Sequence, residues 1–221
     1  MAAPFARGLI GLAAPPHCAA CGMPCAADAV LCHRCEEGLA AALPVVEPGP
    51  PSVSLAVAAS GFDGTARRIV HGLKYARRLG LAPVAARAML AALPPDEGRG
   101  SVVPVPAAPW RRRWRGFDPA EEIAIALARL AGLELSDCLR RARGPRQVGR
   151  RRSERLGDPP RVWADGQVPE HALLVDDVCT TGATISACAR ALRDAGCRRV
   201  LALTLARALP AAALAGPRVE A

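Results

Sequence analysis

The sequence predicts an α/β fold, a mostly parallel sheet covered by helices, with a small cysteine-rich module on its N-terminal side. From residue 53 onwards short apolar runs alternate with amphipathic helical patterns, as strands joined by helical crossovers do. Five of the nine cysteines fall between residues 17 and 35. A Pro-rich stretch from Pro44 to Pro51 separates the two regions. The expected organisation is a module over residues 1–45, a linker over 46–52 and the main domain over 53–221.

Length and composition bound what the chain can be. Its 221 residues have room for one α/β domain and an appendage. The core must be mostly aliphatic, because 51% of residues are hydrophobic and only seven are Phe, Trp or Tyr. Of 29 basic residues all but Lys74 are Arg, and there is no Asn, so Arg abundance by itself says little about function. A net charge of +9 would concentrate anions near the surface, be they phosphorylated metabolites, nucleic acid or acidic lipid headgroups. No run approaches the ~18 apolar residues of a membrane span. Met1 to Ala14 is a poor signal peptide, since its apolar run is short and leads straight into the cysteines. A cytoplasmic, reducing location follows as the expectation, with the cysteines as thiols or metal ligands.

In chain order, Cys18-Ala-Ala-Cys21 and Cys32-His-Arg-Cys35 come first, two Cys-x-x-Cys knuckles ten residues apart. Each can offer two thiolates to one side of a tetrahedral ion, which points to a closed structural Zn2+ site like that of a zinc ribbon. A redox dithiol is the weaker reading, because such a motif would not be duplicated. Cys25, His17 and His33 lie close enough to be spare ligands. The remaining Cys138, Cys179, Cys188 and Cys197 read as small core residues.

After the linker come an apolar strand (Val53 to Ala59), helices over Thr65 to Arg78 and Leu81 to Leu93, and a strand over Val102 to Val105. Trp110-Arg-Arg-Arg-Trp-Arg-Gly-Phe117 follows, with four Arg in six residues. At a strand's carboxyl end such a cluster suits a diphosphate, since guanidinium pairs bidentately with phosphate oxygens; a solvated basic loop explains it equally well. Lys74, Arg112, Arg115, Gly116 and Arg155 are the candidate anion contacts. A helix spans Pro119 to Ala131. The stretch Arg140 to Pro160 reads as a long basic loop, compatible with closing over a ligand, with tethering nucleic acid and with having no fixed structure. The alternation resumes with a strand (His171 to Val175), a helix (Ala183 to Ala195) and a final strand (Arg199 to Leu205).

The segment Ala172-Leu-Leu-Val-Asp-Asp-Val-Cys-Thr-Thr-Gly-Ala-Thr184 carries the chemistry. Its apolar start suits a central parallel strand, and ligands of open α/β sheets bind at the carboxyl ends of strands. Asp176 and Asp177 stand at that end. Both reach one sugar only if the strand ends at the first, because neighbouring strand residues point to opposite faces. Thr180, Thr181, Gly182 and Thr184 supply a hydroxyl-lined turn, and the helix starting near Ala183 aims free N–H groups and a positive dipole end at it. Carboxylates for hydroxyls beside an amide cradle for a monophosphate describe ribose 5-phosphate. The plain alternative is a strand–turn–helix junction with solvated acids.

This segment resembles the 5-phosphoribosyl-1-diphosphate (PRPP) signature of type I phosphoribosyltransferases. The resemblance implies that fold for the main domain, ribose hydroxyls on Asp176 and Asp177, and the 5-phosphate on the loop with Val178, Thr180, Thr181, Gly182, Ala183 and Thr184. It also implies Mg2+ held largely by substrate oxygens. The whole order, with Gly61-Phe-Asp-Gly64, Leu73-Lys-Tyr75, Val103-Pro-Val-Pro106, Arg115-Gly-Phe117, Gln147 and Glu154-Arg155, is similar to the ComF family of competence-associated phosphoribosyltransferase-like proteins. That resemblance implies a role in DNA uptake during natural transformation. The partners implied are PRPP or another ribose phosphate, single-stranded DNA, and a competence helicase or other DNA-processing protein. Whether such a chain turns over as a phosphoribosyltransferase or acts as a non-catalytic DNA-binding or partner-protein adaptor stays open, since no acceptor-binding hood can be read. The chain departs from the family where Asp118 and Asp158 replace Asn, exchanging a group that can donate for one that cannot.

Overall fold

The computed structural model describes residues 16–142 and 160–208. Readings that fall on residues 1–15, 143–159 and 209–221, among them Gln147, Arg150 to Arg152, Glu154, Arg155 and Asp158, lie outside the described residues.

A five-stranded sheet is built from β1 (Val45–Pro48), β2 (Leu55–Gly61), β3 (Ser101–Pro104), β6 (His171–Cys179) and β7 (Arg199–Arg207), in the order β1-β2-β7-β6-β3. The β2, β7, β6 and β3 strands run parallel, and β1 is antiparallel at one edge. A separate antiparallel pair joins β4 (Leu139–Arg141) to β5 (Val162–Ala164). The helices are α1 (His33–Ala40), α2 (Gly64–Ala76), α3 (Leu81–Ala92), α4 (Pro109–Arg115), α5 (Pro119–Ala131) and α6 (Ala183–Asp194). The mixed α/β class with a mostly parallel sheet is thus as expected.

The two sheet faces follow the two-residue period of the strands. Leu173, Val175, Leu201, Leu203 and Leu205 face Ile69 and Leu73 of α2, Leu81 and Met89 of α3, and Ile123 and Leu127 of α5. Leu174, Val200 and Ala202 face Ile185, Cys188 and Leu192 of α6, with Cys138 and Leu139. Cys138, Cys179, Cys188 and Cys197 are buried thiols, as read.

Three local readings change. The stretch expected to be a linker contributes β1, whose residues pair from Val45↔Ala58 to Pro48↔Leu55; proline is tolerated there because the outer side of an edge strand needs no donor. The basic segment after β3 forms the short helix α4, with Pro109 at its start and Gly116 (φ 79°) closing it, although it buries none of its residues. Finally, β6 does not stop at Val175. Asp176, Val178 and Cys179 pair with Thr204, Ala206 and Arg207 of β7, so both acids lie within the strand.

Candidate functional site

The first knuckle is a tight turn: the Cys18 N–H donates to the Met23 carbonyl (2.7 Å) and the Gly22 N–H to the Cys18 carbonyl (2.9 Å), with Gly22 at φ 79°. The second is the start of α1. Cys32 caps the helix, and the N–H groups of Cys35 and Glu36 both donate to its carbonyl. These two turns bring the Sγ atoms of Cys18, Cys21, Cys32 and Cys35 within 4.8 Å of one another, with Cys21 and Cys32 at 3.6 Å. A tetrahedral zinc with Zn–S near 2.3 Å demands sulfur separations of roughly 3.8 Å, so the donor set fits the ion. The four expected ligands therefore form one cluster. Of the spare groups, Cys25 lies outside the four-sulfur set with its Sγ 3.6 Å from the Ala29 carbonyl, although burial and then the nearby Cys18, Cys32 and Cys21 raise its pKa. His33 pairs with Glu37 at 3.0 Å on the exposed face of α1.

The thiols titrate unequally. Burial raises the Cys18 pKa, but the N–H groups of Cys21, Cys32 and Ala20 outweigh it and bring it down to about 6. Burial and then the neighbouring thiols push Cys35 up to about 12. Four sulfurs this close cannot all ionise without a cation among them. The module is fastened to the rest of the chain: Arg78 donates to the Ala19 carbonyl (2.7 Å), and Cys18, Leu31 and Cys35 belong to the same apolar core as α2 and α3. A Cβ on Gly72 would meet Leu81 Cδ1 at 2.6 Å and the Ala19 carbonyl at 3.4 Å, so a larger residue there would have to displace the Leu81 side chain.

The second cluster sits where β3 and β6 end. Lys74 reaches down from α2 to Asp177, Nζ to Oδ1 2.9 Å, with side-chain exposures of 21% and 6%. The buried Asp177 Oδ2 has no hydrogen-bond partner. Asp176 accepts the N–H of Asp177 (2.8 Å) and points to the other side, where Arg141 and Cys188 sense its charge. Burial, reinforced by the charge of Asp177, holds the Asp176 carboxyl well above the usual carboxylate range, although Lys74 pulls it down. Lys74, expected as an anion contact, is thus engaged by one of the two acids.

Beyond Cys179 the chain turns into α6. Gly182 (φ 77°) caps the helix, a left-handed conformation that favours glycine. The first intrahelical bond runs from the Ser186 N–H to the Gly182 carbonyl (2.8 Å), so the N–H groups of Ala183, Thr184 and Ile185 have no acceptor within the helix. The exposed Thr180 and Thr181 stand beside them, and a long 3.4 Å contact joins the Ala183 N–H to Thr181 Oγ1.

Of the other expected contacts, Arg112 is paired with Glu121 (3.2 Å). Arg115 lies over the Tyr75 ring at 5.5 Å, and its buried Nε lacks a hydrogen-bond partner. Asp118 is buried and accepts from the Ala107 N–H (2.7 Å) and the Ala120 N–H (3.1 Å). Its carboxylate caps α5 and ties the exit of β3, work that calls for two acceptors. Arg141 and Arg207 were not picked out in the sequence. Arg207 lies opposite Cys179 in the β6–β7 register, a position that parallel alignment of the two strands would have shown.

No family model matches the chain. It is 36% identical to the competence protein ComFC of Streptococcus pneumoniae over 107 residues, 48% of this chain and 47% of that protein; the match thus spans just under half of that relative. It is 30% identical to the DNA utilization protein YhgH of Salmonella typhimurium over 203 residues, 87% of this chain and 84% of that protein. The Salmonella typhi protein of the same name is likewise 30% identical, over 209 residues. With a four-cysteine cluster ahead of a mostly parallel sheet, and with relatives matched along most of its length, the chain belongs to the ComF family.

Proposed function

We propose that the chain binds PRPP or a related ribose 5-phosphate together with Mg2+, and serves the handling of incoming DNA during natural transformation. The DNA role is taken from relatives named as a competence protein and as DNA utilization proteins. The observation that supports the ribose phosphate reading best is the buried Asp177 Oδ2 without a partner, one turn of chain away from the N–H groups of α6 that lack an acceptor within the helix. A buried acceptor left unmatched costs about 1–3 kcal/mol, which a sugar hydroxyl would relieve. In this reading the Asp177 carboxylate accepts a ribose hydroxyl, while Val178 and the loop from Thr180 to Thr184 seat the 5-phosphate; Asp176, expected on the same sugar, faces the other side of β6 because the strand continues past it. Asp177, through water, is the group that would hold Mg2+, and its orphaned oxygen fits a cation-bound water as well as a hydroxyl. When bound, Mg2+ would neutralise diphosphate oxygens and ease their departure. Zn2+ on Cys18, Cys21, Cys32 and Cys35 has a structural role. Transfer to an acceptor would need a further pocket, so binding is the core of the proposal. Calorimetric titration with PRPP and Mg2+ tests it: the intact chain should bind, Asp176→Ala/Asp177→Ala should not, and an intact chain that fails to bind sinks the reading.

A second reading, single-stranded DNA binding, is favoured by the outer face of α2. Between Gly64 and Ala76 there is no acid, and Arg67, Arg68, His71 and Tyr75 are exposed. Trp110 and Trp114 of α4 are also exposed, 64% and 71%. Cations interleaved with aromatic rings suit phosphates and stacked bases. Affinity for an oligothymidylate should then fall steeply with salt and with R67A/R68A; indifference to both counts against it. Among the described residues no helix is long and apolar enough to cross a membrane.

A further inference from the structure

We propose that Arg207, braced by Glu47, is the positioning residue that aims the N–H groups of Thr180 and Thr181 at the bound anion; this inference rests on the ribose phosphate reading of the loop. Arg207 ends β7 directly beside Cys179, the last residue of β6. Its Nη1 donates to the Thr180 carbonyl, and lies 3.4 Å from the Cys179 carbonyl. Its Nε stands 2.8 Å from Glu47 Oε1 on the edge strand β1, an ion pair by distance in which the N–H is not aligned for a hydrogen bond. The guanidinium is mostly buried, with side-chain exposure of 19%.

The consequence follows from the peptide group itself. In a planar trans peptide the carbonyl and the N–H point in opposite directions. The Cys179 carbonyl shares its peptide with the Thr180 N–H, and the Thr180 carbonyl with the Thr181 N–H. Holding both carbonyls on a cation behind the loop turns both N–H groups out of its other side. The Ala208 N–H, donating to the Cys179 carbonyl at 2.9 Å, reinforces the first of these orientations. The positive charge behind the two peptides also polarises them, which strengthens donation to an anion.

The same edge fences the loop from outside. A Cβ on Gly182 would meet Pro50 at 3.3–3.4 Å, so the loop is held between the segment carrying Glu47 and Pro50 and the start of α6. A lysine at 207 would supply charge but lacks the planar fork that reaches Glu47 and the two carbonyls together.

The test uses 15N-labelled full-length chain with its metal, titrated separately with inorganic phosphate and with ribose 5-phosphate. In the wild type the amide resonances of Thr180 and Thr181 should move with both ligands. Arg207→Gln should weaken binding about tenfold, the scale of one charge-assisted hydrogen bond, and abolish those two shifts while its melting temperature stays close to wild type. Arg207→Lys should recover part of the affinity, and Glu47→Gln should lose a factor of about three. Wild-type affinity with intact shifts in Arg207→Gln overturns the proposal; should that variant fail to fold, unchanged affinity in Glu47→Gln overturns it instead. Shifts with phosphate but not with ribose 5-phosphate would uphold the role of Arg207 and refute the sugar reading. No loop shift with either ligand refutes both.

Discussion

The protein gathers groups of like charge in two places and treats them differently. At the cysteine module four sulfurs lie within 4.8 Å of one another, and among the described residues the cation that touches them is Arg68, 3.9 Å from the Cys35 Sγ. Near the end of β6 two carboxylates occupy consecutive positions on opposite faces of the strand, and the fold supplies its own counter-ion for Asp177 in Lys74. A charge cluster with internal compensation can persist without an ion; one without it must recruit a cation or remain protonated. The first cluster is therefore a demand for metal, and the second a set of acceptors that the fold keeps available.

The largest effect should come from withdrawing metal. A zinc ion held by these four thiolates would contribute on the order of 10 kcal/mol to the folded module. Because Cys18, Leu31 and Cys35 share the core of α2 and α3, a chelator or Cys32→Ser should lower the melting temperature of the whole chain, not merely release the first knuckles. A melting curve unchanged by chelation would break the contrast between the two clusters.

Next in size is the acid pair. Asp177→Ala strands Lys74 in a mostly buried position and should cost about 2–4 kcal/mol. Adding Lys74→Ala should recover part of that loss, and denaturant unfolding of the two single variants and the double variant measures the coupling. Additive costs would mean that Lys74 does not compensate Asp177. Asp118→Ala removes the acceptor of two N–H groups and should cost about 1–2 kcal/mol, read from the same unfolding curves.

The smallest predicted change has the opposite sign. The folded chain holds the Asp176 proton more tightly than the unfolded one, so the contribution of this carboxyl to stability is full at low pH. It falls as pH rises from about 3.9, the unfolded value, through the raised folded value. Asp176→Asn should therefore stabilise the chain at neutral pH by about 1 kcal/mol and flatten that decline. A variant less stable than wild type at pH 7 would show that Asp176 is compensated as fully as Asp177.

Much of this was legible in the sequence. The strands and helices with strong periodicity lie where expected, Pro119–Ala131 to the residue, and the four ligands converge because two tight turns depend on local spacing alone. What was not legible depends on partners distant in sequence. The continuation of β6 through Asp176 and Asp177 is imposed by the ladder with β7, which the acids themselves do not advertise. Likewise Lys74 stood out as the single lysine, but that it meets Asp177 follows from the packing of α2 on the sheet. The exchange of Asn for Asp at 118 looked like a lost donor, whereas the position uses only acceptors.

Both margins of the sheet are four-residue strands ending in proline, β1 at Pro48 and β3 at Pro104. The outer side of β3 is further occupied by residues 134–136, through the Val102 N–H to the Glu134 carbonyl and the Ser136 N–H to the Val102 carbonyl. Short margins blunted in this way offer little template for strand addition. Self-association by extension of this sheet is therefore disfavoured at both margins, so that the fold carries its parallel strands without offering them as a template for polymerisation.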